Sequence, residues 1–369
     1  MLRTAEVGLF DWPVGCPSPS DGTRPTQGYV EDWIQVNNPN RFQRTSYGTC
    51  AGLVALVVGG VSAAIGFVKK IKLATWAGVI LAAIGVVTTA IGKYCGVEFD
   101  VRDAAHNNFI YKPSRELETT PDKLGVSHEP VSITTHDGEE LKGYYLEAPI
   151  ETRKTVIYLH GRANNISHHL KEVTEIQKQI PINVLMIDYR GFGESTLKPN
   201  KRITEDALAI DADAMYDYLI TKRGLSPEDI SVYGHSLGGA VAVQLSTRKE
   251  IDRLIVDATF TSLKDVGKDY FYSIVPKSWV GKVAGDEFNS IEAIKKIKAK
   301  KVCVIHGTSD NVVPLEHSAR LFGAIDKPKE IIVLEGANHS NCRECILKSE
   351  DHTDKLRKFF GIEAAAASA

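Results

Sequence analysis

What this sequence of 369 residues has little of narrows its class. Neither sign of charge dominates: 44 basic side chains against 46 acidic ones leave a formal net charge of -2. A chain so balanced offers no broad basic surface to a phosphate backbone, so nucleic acid is not expected as a partner. Cysteine is sparse, with six residues (Cys16, Cys50, Cys95, Cys303, Cys342 and Cys345), and Cys303 sits inside an apolar run that reads as a strand. A disulfide framework is therefore not indicated, and a reducing compartment is expected. The opening stretch MLRTAEVGLFDWPVGCPSPSDG lacks a charged start followed by an apolar segment, which argues against a cleaved secretory signal. No internal repeat is present. The hydrophobic fraction, 43%, excludes a disordered or fibrous class and fits one sizeable globular domain with additional material.

The additional material is N-terminal. Residues 1–48 carry Pro13, Pro17, Pro25 and Pro39 among scattered aromatics and read as irregular. Residues 51–68 (AGLVALVVGGVSAAIGFV) and 73–92 (LATWAGVILAAIGVVTTAIG) hold no charge and are separated only by KKIK. As helices they would be about 27 and 30 Å long, the thickness of a bilayer's hydrocarbon core. A transmembrane two-helix hairpin over 49–95 is expected, with a buried helical pair as the competing reading. Glycines recur every seven residues, at 52, 59 and 66 and again at 78, 85 and 92, a small-residue seam of the kind that lets membrane helices approach closely. Orientation stays open, because Lys69, Lys70 and Lys72 in the loop compete with Arg41, Arg44, Lys93 and Arg102 on the flanks. Both flanks nevertheless share one side, where Cys50 and Cys95 would lie as ordinary thiols or as acylation sites. The bilobed hydrophobic pattern resembles that of inclusion-membrane proteins which intracellular bacteria insert into the vacuole membrane of a host cell, and that resemblance implies such a location.

After a linker over 96–127 the pattern changes. From residue 128 short β-branched runs alternate with helical ones, the sign of a mostly parallel sheet covered by helices. Eight runs read as strands: VSITT, LKGYYLE, TVIYLH, NVLMID, ISVYG, RLIVD, KVCVIHG and EIIVLEG. The first two are joined by HDGEE, a hairpin turn at Asp137 and Gly138, while the later ones are far enough apart for crossover helices. ITEDALAIDADAMYDYLITK has an acidic first turn and helical apolar spacing. In open sheets of this kind the ligand site lies at the carboxyl ends of the strands.

The chemistry-bearing residues fall at those ends. VYGHSLGGA, residues 232–240, follows a strand and opens a helix, the context of a G-x-S-x-G nucleophile elbow in which Gly234 and Gly238 leave room for a strained turn presenting Ser236. A plain strand-to-helix turn is the bland reading. A serine hydroxyl needs a base, and the base needs a third group to orient it. Of eleven histidines, only His306, His317, His339 and His352 follow the serine, and His339 in the loop LEGANHSN is the expected base. For the acid, Asp310 in HGTSDNVVP is favoured, in a loop bounded by Gly307 and Pro314, with Asp257 at the end of RLIVD as the competitor. The charge developing on the attacked carbonyl needs backbone donors. One is the Leu237 N–H, and the other comes from HGRANN, at Arg162 or Ala163.

YLHGRANNI, DYRGFGES, YGHSLGG, DATFTSL, VIHGTSDNVVP and GANH stand in the order and spacing of the α/β-hydrolase superfamily. The chain resembles its Bem46-like branch of single-span or lipid-anchored serine hydrolases, which includes lysophospholipases and protein depalmitoylases. The resemblance covers residues 128–362. It implies an α/β-hydrolase fold with a triad of Ser236, Asp310 and His339, oxyanion donors at Leu237 and Arg162, and a structural loop at Asp188 and Glu194. Arg162 stands where the family often has asparagine, which would place a cation at the pocket mouth. NCREC puts Cys342 and Cys345 just after the base, but no second cysteine pair accompanies them for metal, nor any redox context. IKKIKAKK reads as a solvated helix end or a contact for anionic headgroups. The stretch holding Tyr270, Phe271, Tyr272 and Trp279 is the natural place for a short cap.

Together these features predict a membrane-anchored serine hydrolase acting on an ester or thioester, with a membrane lipid or acylated protein as substrate and no cofactor or metal. A catalytically silent scaffold of the same fold, tethered for partner binding, is the alternative. Acyl chain length, head group and oligomeric state stay open, and 363–369 reads as a tail.

Overall fold

The computed structural model describes residues 110–199, 201–271 and 286–362. The expected hairpin, the irregular region at 1–48, the tail, and Tyr272 and Trp279 of the aromatic stretch lie outside the described residues. Among the described residues no helix is long and apolar enough to cross a membrane.

The eight expected strands form one sheet: β1 (His128–Thr134), β2 (Glu140–Leu146), β3 (Thr155–Leu159), β4 (Asn183–Ile187), β5 (Ile230–His235), β6 (Arg253–Asp257), β7 (Lys301–Gly307) and β8 (Lys329–Leu334). Their spatial order is β8-β7-β6-β5-β3-β4-β2-β1. Only β2 runs against its neighbours, pairing antiparallel with β1 and with β4, while the remaining pairs are parallel. The turn at 137–138 closes as expected, with Gly138 at φ +86°, a left-handed value glycine adopts without a Cβ clash. Every residue of β3, β4 and β5 is buried. Such strands read as unbroken apolar runs because helices cover both of their faces.

Alternation along those strands sends side chains to two cores. Ile157 and Leu159 face one cluster, with Leu208 and Met215 of α2 (Glu205–Thr221), Val241 and Leu245 of α3 (Leu237–Arg248) and Leu321 of α5 (Leu315–Ala324). Val156 and Tyr158 face the other, with Val173 of α1 (Leu170–Gln179), Ile346 of α6 (Cys342–Leu347) and Phe359 of α7 (Glu350–Phe360). The α2 helix starts where its sequence places it: the Thr204 side chain accepts from the Ala207 amide, and Glu205 and Asp206 meet the positive end of the helix dipole. Between α3 and α5 in the chain lies α4 (Leu263–Phe271).

Two sets of contacts lie outside the ladder of the main sheet. Arg190, buried, bridges Asp137 of the β1–β2 turn at 2.7 Å and Asp211 of α2 at 2.7 Å. Residues 110–118 lie against the hydrolase-like region rather than apart from it: Ile110 and Tyr111 are buried in the α2–α3 core, and 112–113 pair in parallel with 163–164.

Candidate active site

The strand β5 ends and α3 begins at Ser236, whose φ of 55° and ψ of -118° are rare for a residue with a side chain. Three contacts hold the corner: the Ser236 N–H donates to the Asp257 carbonyl (2.8 Å), and the Ser236 carbonyl accepts from the Gly239 N–H (3.0 Å) and the Thr259 hydroxyl (2.7 Å). Sterics do the rest. A Cβ at Gly234 would collide with the Gly238 carbonyl, and one at Gly238 with the Leu159 carbonyl of β3. The motif's glycines are therefore close-approach positions that let the helix cross two strand ends, as the elbow reading requires.

His339 and Asp310 arrive from the ends of β8 and β7. The His339 Nε2 lies 3.0 Å from Ser236 Oγ, and its Nδ1 lies 2.7 Å from Asp310 Oδ2. With Nδ1–H donated to the carboxylate, Nε2 presents its lone pair to the hydroxyl. The His339 side chain keeps 15% of its surface while that of Asp310 has none, so the imidazole is reachable and the carboxylate is sealed. Burial alone would raise the Asp310 pKa. Hydrogen bonds from His306 and His339 outweigh it and hold the carboxyl well below the usual range. The Val312 and Val313 amides donate to its other oxygen, both at 2.8 Å. The GTSDNVVP turn thus shapes itself around an ionised carboxylate.

Asp257 does not join this arrangement. Along β6 it shares a face with Ile255, which points to the α1 side of the sheet. There its Oδ2 accepts from the Tyr233 hydroxyl (2.8 Å), His235 Nδ1 (3.1 Å) and Arg343 Nη1 (3.2 Å). Burial works to raise its pKa, but His235 and Arg343 bring it down to about 2. Arg343, itself buried, also binds Glu172 of α1 at 2.7 Å and approaches His169 Nδ1 at 3.3 Å. The His235 ring lies 5.2 Å from that of His339, and burial lowers its pKa to about 4.

Sequence reasoning missed His306, His235 and Arg343. In NCREC the cysteines drew attention, yet Cys342 is a buried thiol whose pKa burial pushes far up, and the charge between them does the tying. His306 Nε2 lies 3.2 Å from Asp310 Oδ2 and its Nδ1 2.6 Å from the Ser318 hydroxyl. Its place four residues before Asp310 was the only available signal.

For the oxyanion the candidate donors flank Ser236. Leu237 opens α3, so its N–H has no intrahelical acceptor. Gly161 sits against the nucleophile: a Cβ there would fall 3.7 Å from Ser236 Cβ and 3.5 Å from His235 Cδ2. That contact brings the loop carrying Arg162 and Ala163 to the serine. Asp188 is occupied structurally, accepting from the Ile166 N–H at 2.8 Å with burial raising its pKa to about 7. In the lysine run, Lys295, Lys298, Lys300 and Lys301 all bind partners within the fold. Among the described residues no group of His, Cys, Asp and Glu is arranged to hold a metal ion.

Comparison with known proteins places the chain among α/β-hydrolases. Residues 150–285 match the Hydrolase_4 family, described as serine aminopeptidase, S33. The chain is 34% identical over 223 residues to the protein Bem46 of Schizosaccharomyces pombe, an overlap spanning 59% of this chain and 72% of that one. It is 31% identical over 251 residues to an uncharacterised protein of Mycobacterium tuberculosis, spanning 68% and 85%. Among solved structures it is similar to an esterase of Pyrococcus furiosus, with 25% identity, a TM-score of 0.55, and coverage of 68% of this chain and 97% of that one. An alpha-beta hydrolase of Vibrio vulnificus, at 21% identity, TM-score 0.57 and coverage of 71% and 94%, shares the fold.

Proposed function

Because the chain belongs to the Bem46-like branch of the α/β-hydrolase superfamily, we propose that it is a serine hydrolase cleaving a carboxylic ester or thioester through an acyl-enzyme. The observation that carries the reading is His339, within hydrogen-bond reach of Ser236 on one nitrogen and of Asp310 on the other. Ser236 Oγ attacks the carbonyl carbon as its proton passes to His339 Nε2, and the Asp310 carboxylate stabilises the imidazolium that forms. The oxyanion is met by the Leu237 N–H and a second N–H at Arg162 or Ala163. Collapse expels the alkoxide or thiolate, which takes the proton from Nε2. Water then attacks the acyl-enzyme by the same route, releasing the acid and restoring Ser236.

An ester or thioester is placed first because a structural relative at 25% identity, covered almost throughout, is an esterase; the matching family is described as serine aminopeptidase, so an amide is the competing substrate. A bilayer hairpin at 51–92 would make a membrane lipid or an acylated protein the economical substrate. Replacement Ser236→Ala is expected to abolish hydrolysis of a short p-nitrophenyl ester with the fold intact by circular dichroism, and undiminished turnover would refute the assignment. A panel of matched ester, thioester and amide substrates of graded acyl length, assayed in detergent, then ranks the leaving groups.

A further inference from the structure

The candidate oxyanion loop has a partner outside the expected hydrolase boundaries. The Lys112 N–H donates to the Arg162 carbonyl (2.8 Å) and the Ser114 N–H to the Asn164 carbonyl (3.2 Å), in the register Lys112 with Ala163 and Pro113 with Asn164. The loop grips back, since Asn165 Nδ2 donates to the carbonyls of Ser114 (3.1 Å) and Glu116 (2.7 Å). Further on, the Glu118 N–H donates to the Ser167 hydroxyl at 2.8 Å. Arg115 fastens the same segment to the neighbouring loop, its Nη1 reaching the carbonyls of Gly193 (3.0 Å) and Ser195 (2.6 Å), while the Gly193 N–H returns a bond to Ser114 (2.9 Å). Ile110 and Tyr111, buried in the core, anchor the segment at its start.

We propose that residues 110–118 form a strap that sets the oxyanion peptide, with Lys112 and Arg115 as positioning residues for catalysis. The inference rests on the serine-hydrolase reading above. The peptide joining Arg162 to Ala163 is planar and trans, so a carbonyl held by Lys112 on one side aims the Ala163 N–H to the other. The same bond polarises that peptide and strengthens its N–H as a donor. Oxyanion stabilisation depends on donors fixed in place before charge develops. Asn164, at φ 65°, turns the loop through the left-handed region, which asparagine tolerates, while the fixed aim of the loop's N–H groups still needs outside contacts. The strap supplies them, so the catalytic unit begins at about residue 110 and the segment leading from the N-terminal region is part of the active site.

The test uses the full-length protein and the variants Arg115→Met, Arg115→Lys and Lys112→Pro, the last removing the donor to the Arg162 carbonyl. Lys112→Ala, which keeps that N–H, is the control for loss of the side chain and is expected to leave kcat within about twofold. Three quantities are read: steady-state hydrolysis of a short p-nitrophenyl ester, inhibition by a trifluoromethyl ketone, and hydrogen exchange at the amides of residues 162–167. The strap predicts that Arg115→Met and Lys112→Pro each lower kcat at least about tenfold, with KM within about twofold. Ketone affinity should weaken by the same factor, the loop amides should exchange faster, and Arg115→Lys should recover most of the loss. Unchanged kcat and ketone affinity in both variants, or a loss of activity that merely tracks the unfolded fraction, would overturn it. Should the parent protein hydrolyse nothing, the hydrolase reading falls, and loop protection unaltered in both variants separately dismisses the strap.

Discussion

At the scale of single residues the two candidate acids are separated by what they touch. Asp310 meets the Nδ1 of the base, whereas Asp257 is spent on Tyr233, His235 and Arg343. Asp310→Asn is expected to lower kcat by about 10³- to 10⁴-fold, because the base loses the acceptor that fixes its tautomer. Asp257→Asn should leave kcat within about threefold. Its effect belongs to acid stability. The carboxyl is brought from an ordinary 3.8 down to about 2 in the folded protein, so its contribution is complete above about pH 4 and is lost as the pH falls to about 2, on the order of 2 kcal/mol. The stability gap between parent and Asp257→Asn, measured by urea unfolding, should shrink by that amount between pH 5 and pH 2. A constant gap would contradict the assigned charge state. The placing of Ser236, His339 and Asp310 at strand ends was legible because strand, turn and chain order all converge there. Arg343 was not, because nothing local in NCREC says that its charge is buried against residues from β6 and α1.

At the scale of elements, Arg343 fastens α6 to β6 and α1 four residues after the base. Removing it leaves Asp257 and Glu172 without their cation, and breaking a buried pair in this way costs about 3 to 5 kcal/mol. Arg343→Met should lower Tm accordingly, and the double variant Arg343→Met with Asp257→Asn should recover part of the loss. If the double variant is no more stable than the single one, the Asp257 charge is not what the arginine compensates. The eight strands were readable from their β-branched runs, and α2 from its cap and spacing. The start of β1 was set three residues too late: its first three residues, His128, Glu129 and Pro130, lack the apolar alternation of Val131 and Ile133 and are strand because of pairing with Tyr144, Tyr145 and Leu146.

At the scale of the whole molecule, residues 110–118 pack with the sheet and its two cores, and the proposed bilayer hairpin precedes them in the chain. Deleting residues 49–95 should remove any detergent requirement for solubility while preserving turnover of a short soluble ester, because residues 110–118 remain. Sedimentation in detergent-free buffer checks the first half. A parent chain that stays fully dispersed without detergent would count against the hairpin.

The sequence by itself determined which residue types stand at the strand ends, since periodicity, turn glycines and the order serine, aspartate, histidine are local or nearly local properties. It determined the eight strands and the elbow for the same reason. The tertiary structure alone decided which carboxylate reaches the His339 imidazole, that a buried arginine offsets the one that does not, and that a stretch read as linker grips the loop after β3. Those outcomes depend on which face of a strand a side chain takes and on contacts between residues far apart in the chain. Hydrophobic pattern along the chain carries no record of them.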